Sequence, residues 1–207
     1  MLQADVVPLL RGAGFREFPS FHFCRVRGYL LDVVQFDIKA GKWLEVWAHI
    51  NPLYHESLLD ALIVGGRERI VGSELGIVTH DEAQSTMELV SRHLGETTLP
   101  WFSSIPDLSH YLPKIQENMS KYYSIVTLAL LGRHEECVAL IEERLAKLYR
   151  QAKARDGYDG MIAKVEQFSI VLKEDRVGEF VDDLIVSALK EAKLEEFIPS
   201  RPSLSNS

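Results

Sequence analysis

Six side chains between positions 35 and 49 are of the types that recognise or transform ligands: Gln35, Asp37, Trp43, Glu45, Trp47 and His49. Their spacing matters as much as their identity. Within each of the two groups, successive residues are two apart, and residues two apart on a β-strand project from the same face. Aromatic rings beside polar groups are what protein interfaces and ligand grooves use. A carboxylate near an imidazole is what acid–base chemistry needs. The leading expectation is a non-enzymatic protein-binding module, immunity- or antitoxin-like in its most concrete version, that binds through an aromatic and acidic sheet face. The alternative is a hydrolase or transferase without a sequence motif, in which Glu45, His49 and Asp37 move protons.

The elements that must position these groups lie in the stretch from Gly28 to Ile50. It holds two runs of alternating apolar and polar residues around a polar Lys39-Ala40-Gly41-Lys42 turn, the pattern of two strands with unlike faces. Leu30, Val34, Phe36 and Ile38, then Leu44, Val46, Ala48 and Ile50, fall on the even-numbered face, where Asp32 is the exception. The six candidates share the odd-numbered face with Tyr29. Upstream, Phe21–Val26 alternates in the same way, and Arg27-Gly28 supplies a tight turn. Three strands in succession predict an antiparallel meander, which Arg69–Val78 would extend to four after a Gly65-Gly66 turn.

Helical periodicity frames the meander. Residues 3–13 carry a helical pattern in which Pro8 belongs in a first turn, with Gly12 and Gly14 as the stop. Thr79-His-Asp-Glu82 fits a capping box ahead of a helix over 82–94, closed by Gly95. Thr97–Phe102 reads as an extended link, and the prolines within 105–113 suggest a boundary. Beyond it the periods are helical: 114–131, 134–152, 161–173 and 176–194. The expected fold is α+β, an antiparallel three- or four-stranded meander with flanking helices followed by an all-helical C-terminal segment. Its expected units are a sheet domain at 1–112, a helical bundle or short helical repeat at 113–197, and a disordered tail at 198–207. Leu131–Leu140 resembles the turn and second helix of a tetratricopeptide-type repeat, which admits a helical-repeat scaffold as a third function.

Composition narrows the classes. The chain has 207 residues, 46% hydrophobic and 26% charged, with a net charge of −7. That balance supports a real core and argues against a sequence-independent grip on nucleic acid, which needs clustered Lys and Arg. The expected partner is a protein, and the acidity suits a basic one. No apolar run reaches the ~18 residues of a membrane span, and neither a membrane span nor a secretory leader is expected. Cys24 and Cys137 lie far apart and form no Cys-x-x-Cys pair, so reduced thiols in a cytoplasmic protein are expected. His22, His49, His55, His80, His93, His110 and His134 include no His-x-His and no helical i, i+4 pair, so neither metal nor other cofactor is expected. There is no Gly-x-Ser-x-Gly elbow, and Gly65-Gly66-Arg67 lacks the ending of a phosphate-binding loop.

Several short segments, taken in order, carry a resemblance. They are Leu9-Leu10 with Gly14-Phe15, Phe23-Cys-Arg25 with Gly28, Asp32-Val-Val-Gln-Phe36, Val46 with Ile50, and a helix leading into Leu99-Pro-Trp-Phe102. From about residue 2 to 104 the chain resembles a bacterial family designated domain of unknown function four-three-zero-four. The resemblance implies a small α+β domain with an antiparallel sheet. It implies no catalytic residue and does not reach the helical half.

Overall fold

The computed structural model describes residues 6–18, 22–55, 58, 67–69, 75–118 and 121–200. The fold is α+β, with the sheet in the N-terminal half and helices after it. Strands β1 (Arg16–Phe18), β2 (His22–Arg27), β3 (Leu30–Lys39) and β4 (Trp43–Pro52) form an antiparallel meander. Two short strands, β5 (Arg67–Arg69) and β6 (Leu75–Gly76), both pair with the outer edge of β4. The three strands expected between Phe21 and Ile50 are present within a residue or two, whereas the fourth expected over Arg69–Val78 is replaced, among the described residues, by the two short strands β5 and β6. Strand β1 adds an edge that its three residues were too short to announce. The Gly65-Gly66 turn and most of the ambiguous stretch before it lie outside the described residues.

The long β3–β4 hairpin owes its register to its turn. Ala40 and Gly41 both take positive φ, 50° and 67°, which bends the chain with the twist that hairpins favour. Leu30 then faces Pro52 and Lys39 faces Trp43. That register keeps the even face apolar: Leu30, Val34, Phe36, Leu44, Val46, Ala48 and Ile50 are all buried.

Helices lie on both faces. Helix α1 (Val6–Gly12) carries Pro8 in its first turn, where the missing N–H has no intrahelical partner to lose. Its end wraps with Gly14 at φ 86° and the Phe15 N–H on the Leu10 carbonyl, a Schellman closure. Helix α2 (His80–His93) opens on the expected capping box, Thr79 with Glu82. Gly95 does not stop it. The chain continues through a π-helical turn (Leu94–Thr98) into α3 (Leu99–Ser103), so the extended link expected at Thr97–Phe102 is helical instead. Gly95 has no positive φ, and Pro100 sits in the first turn of α3, where proline is tolerated.

Helix α4 (Leu108–Asn118) crosses the stretch where the prolines suggested a boundary, and Leu108, Tyr111 and Leu112 are buried there. Helix α5 (Lys121–Leu130) is buried at every position from Tyr122 to Ala129, as a helix enclosed on all sides must be. Helices α6 (His134–Ala152), α7 (Asp159–Lys173) and α8 (Val177–Glu191) follow the expected periods, and a 3₁₀ segment (Glu195–Ser200) closes the described chain. The tail expected from residue 198 lies outside the described residues from 201 onward. Buried apolar side chains from Val6 to Phe197 form one connected cluster. Among the described residues, no helix is long and apolar enough to cross a membrane.

Candidate functional site

The six candidates share one face of the sheet, but their exposure is graded along it. Register places Val33 opposite His49, Gln35 opposite Trp47, Asp37 opposite Glu45 and Lys39 opposite Trp43. At one end His49 is fully buried, in the company of Cys24, Leu31, Val33 and Asn51. In the middle Gln35, Asp37, Glu45 and Trp47 are half-buried. At the turn end Trp43 is 42% exposed.

Residues of the C-terminal half contact the sheet and its flanks at several points. Phe197 packs on Phe18 of β1 with ring centroids 5.3 Å apart, and Arg16 lies over the Phe197 ring and within ion-pair range of Glu196. In the β2–β3 turn, burial and then the neighbouring Asp182 carboxylate of α8 push the Tyr29 phenol above its ordinary range. Just beyond β4, the Tyr54 and Thr127 hydroxyls share a hydrogen bond of 2.5 Å that ties the sheet to α5, and the His55 ring stacks on Tyr123 at 4.3 Å. The Tyr111 hydroxyl donates to the Ile50 carbonyl from α4 at 2.9 Å.

This arrangement does two things to the chemistry read from the residues. Gln35 donates to the Asp37 carboxylate at 3.0 Å, which holds that carboxylate in place on the face. Glu45 and His49, four residues apart on one strand, have their backbones roughly 13 Å apart, so the acid–base pairing that the alternative needs is not assembled by β4. Across the β4–β5 register, Trp47 lies opposite Arg69 and His49 opposite Arg67. Among the described residues, no group of three or more His, Cys, Asp or Glu is placed to hold a metal ion.

Two features were not singled out in the sequence. Ile38, on the other face of the same hairpin end, is 48% exposed, and Val78 is 64% exposed. The Ile77 N–H donates to the Lys42 carbonyl at 3.1 Å, and Gly76 lies opposite Trp43, which brings Val78 to the turn end of the hairpin. The alternation placed Ile38 in the core because its parity is even. A strand that outruns its covering helices leaves its last apolar residue in solvent, and alternation carries no signal for that.

A separate cleft of about 660 Å³ lies among the helix ends, lined by Leu130, His134, Arg176, Glu179 and Asp182 among others. It includes none of the six hairpin candidates. Comparison with protein-family models, with characterised proteins and with solved structures returns no match for the chain.

Proposed function

We propose that the chain is a protein-binding module that meets its partner with the turn end of the β3–β4 hairpin. The observation that carries this reading is the exposure of Trp43, a large aromatic left 42% accessible beside half-buried Asp37 and Glu45. Tryptophan is over-represented among residues that dominate binding energy, and leaving one in water has no benefit to folding. Trp47, Gln35, Asp37 and Glu45 form the supporting part of the surface, while buried His49 serves its foundation. In its most concrete form the partner is a basic protein and the chain an immunity- or antitoxin-like mask, a reading supported by the net charge of −7. Two buried free thiols suit a reducing cytoplasm.

The test compares wild type with Trp43→Ala and with Leu89→Ala, an exposed apolar residue on α2 away from the hairpin. Each protein is immobilised against a bacterial lysate at low and high salt. A partner retained by Leu89→Ala and lost by Trp43→Ala supports the proposal. A partner retained equally by all three, with capture indifferent to salt, counts against it.

A further inference from the structure

Among the described residues, the exposed large apolar side chains are Ile38, Trp43, Val78, Leu89, Val138, Tyr149 and Ile170. Leu89, Val138, Tyr149 and Ile170 sit on helices α2, α6 and α7, as isolated surface hydrophobes commonly do. Ile38, Trp43 and Val78 instead converge on one end of the sheet. Ile38 pairs with Leu44 in the hairpin, Trp43 lies opposite Gly76, and Val78 follows two residues later, just past the Ile77 to Lys42 hydrogen bond. Ala40, Gly41 and Lys42 between them are exposed.

Charge at this end has a definite sign. Asp37 and Glu45 flank the hairpin, and Asp81 and Glu82 open helix α2 three and four residues after Val78. Among the described residues, these four carboxylates outnumber Lys39 and Lys42, the two lysines of the turn. A second copy of the chain would present the same excess of negative charge, and an anionic lipid surface would meet it with like charge. A segment carrying both apolar and basic side chains matches the apolar residues and the acidic sign of this end together.

We infer that the hairpin end, with Ile38 and Val78 as well as Trp43, is a docking surface for a basic amphipathic segment of another protein. The inference rests on the protein-binding role proposed for Trp43 and extends it in two ways. The surface wraps around the hairpin tip and is not confined to the odd-numbered face, and its occupant has a stated chemistry. Trp43, Ile38 and Val78 take the apolar side chains, and Asp81, with its neighbours, takes the cationic ones.

The experiment measures binding of a synthetic amphipathic leucine–lysine peptide to the full chain by calorimetry, with a leucine–glutamate peptide as the opposite-charge probe. Wild type is expected to bind the first and not the second, with affinity falling as salt rises. Ile38→Ser with Val78→Ser is expected to weaken binding by about tenfold or more, and Asp81→Asn to reduce the salt dependence. These positions are solvent-facing, so circular dichroism should show an unchanged fold. If the serine variant binds as wild type does while Trp43→Ala loses binding, the inference fails and the simpler protein-binding reading survives. If Trp43→Ala binds as wild type does, both fail. Absence of wild-type binding to the lysine peptide overturns the inference. So does equal binding of the glutamate peptide, preferential binding to phosphatidylglycerol vesicles, or self-association of the chain that Ile38→Ser abolishes.

Discussion

Arg25 grips Asp32 through two hydrogen bonds, from Nε at 3.0 Å and Nη2 at 2.6 Å, at a carboxylate with no exposure to solvent. Arg27 binds the same carboxylate from Nε at 2.6 Å and Nη2 at 2.7 Å. The remaining guanidinium donors reach the Ala13 carbonyl after α1 and the Ile105 carbonyl before α4, and Arg25 lies over the Phe15 ring at 4.6 Å. The two arginines thus tie strands β2 and β3 to the end of α1 and to the chain entering α4. With every nitrogen of both guanidiniums occupied, the cluster is a structural joint.

The stability of that joint is testable. Asp32→Ala leaves two partly buried cations without their counter-charge and is expected to destabilise the protein by about 3 kcal/mol, read from urea unfolding. Replacing Arg25, Arg27 and Asp32 together with apolar residues of similar volume should recover most of that loss. A single Asp32→Ala variant as stable as wild type would contradict the assignment.

How far the sequence carried is visible in particular residues. Asp32 stood out by parity alone as the one polar residue on an apolar face, but its partners did not, because they belong to another strand and meet it only through the β2–β3 register. The hairpin and helices α6 to α8 were legible because their apolar periods are long. The run from α2 to α3 was not: Gly95 and Pro100 are ordinary stop signals, and here each sits where helical geometry tolerates it. The gradient of exposure from His49 to Trp43 was not legible either. It depends on where Phe197 and the C-terminal helices rest on the sheet, a long-range packing that no local spacing encodes.

The Tyr54–Thr127 contact joins the two halves of the chain. Both hydroxyls are buried, and Thr127 also donates to the Tyr123 carbonyl at 2.7 Å. Tyr54→Phe removes one partner and is expected to cost about 0.5–1.5 kcal/mol. Thr127→Val should show a coupling with it in a double-mutant cycle. Strict additivity of the two changes would mean that the hydroxyls do not interact in solution.

Burial pushes both thiols above their ordinary range, with the Asp32 carboxylate as a second cause at Cys24, and Cys137 is raised to about 11. The Cys137 thiol donates to the Ile125 carbonyl at 3.4 Å. Neither thiol is expected to react with a disulfide reagent at pH 8 while the protein is folded, and both should react in denaturant. Rapid modification of the native protein would contradict the burial of whichever cysteine is labelled.

Asp107 caps helix α4. Its carboxylate accepts from the Ser109 and His110 backbone N–H groups at 2.9 and 3.1 Å, from the Ser109 hydroxyl at 2.7 Å, and meets the His110 ring at 2.9 Å. The Ser109 hydroxyl first, then the His110 ring and backbone, hold the carboxyl far below the usual carboxylate range. A depressed folded-state value means that stabilisation is complete above the unfolded pKa of about 4 and is lost as pH falls towards the folded value. Loss of an N-cap side chain costs about 1 kcal/mol, so Asp107→Ala should cost no more than that at neutral pH, since solvent screens this exposed carboxylate. The gap from wild type should narrow steadily below about pH 4. A gap that stays constant into strong acid would rule out the charged cap.

Two helix ends are closed by residues that resist the conformation they adopt. Asp175 after α7 has φ 54° and Lys193 after α8 has φ 58°. The Arg176 N–H reaches back to the Val171 carbonyl at 3.0 Å and the Leu194 N–H to the Leu189 carbonyl at 2.8 Å, the bond that defines a Schellman closure. A side chain at such a left-handed position costs about 1 kcal/mol that glycine avoids. Gly132 after α5 shows the relaxed version of the same closure, with φ 69° and the Arg133 N–H on the Leu128 carbonyl at 3.0 Å. Asp175→Gly and Lys193→Gly are each expected to raise the unfolding free energy by about 0.5–1 kcal/mol, less whatever the freer glycine chain gains in the unfolded state. The sites lie on different helix ends, so their effects should add. Thermal unfolding of the two single variants and the double variant checks this directly. A loss of stability in both singles would show that the side chains contribute more than the strained backbone withholds.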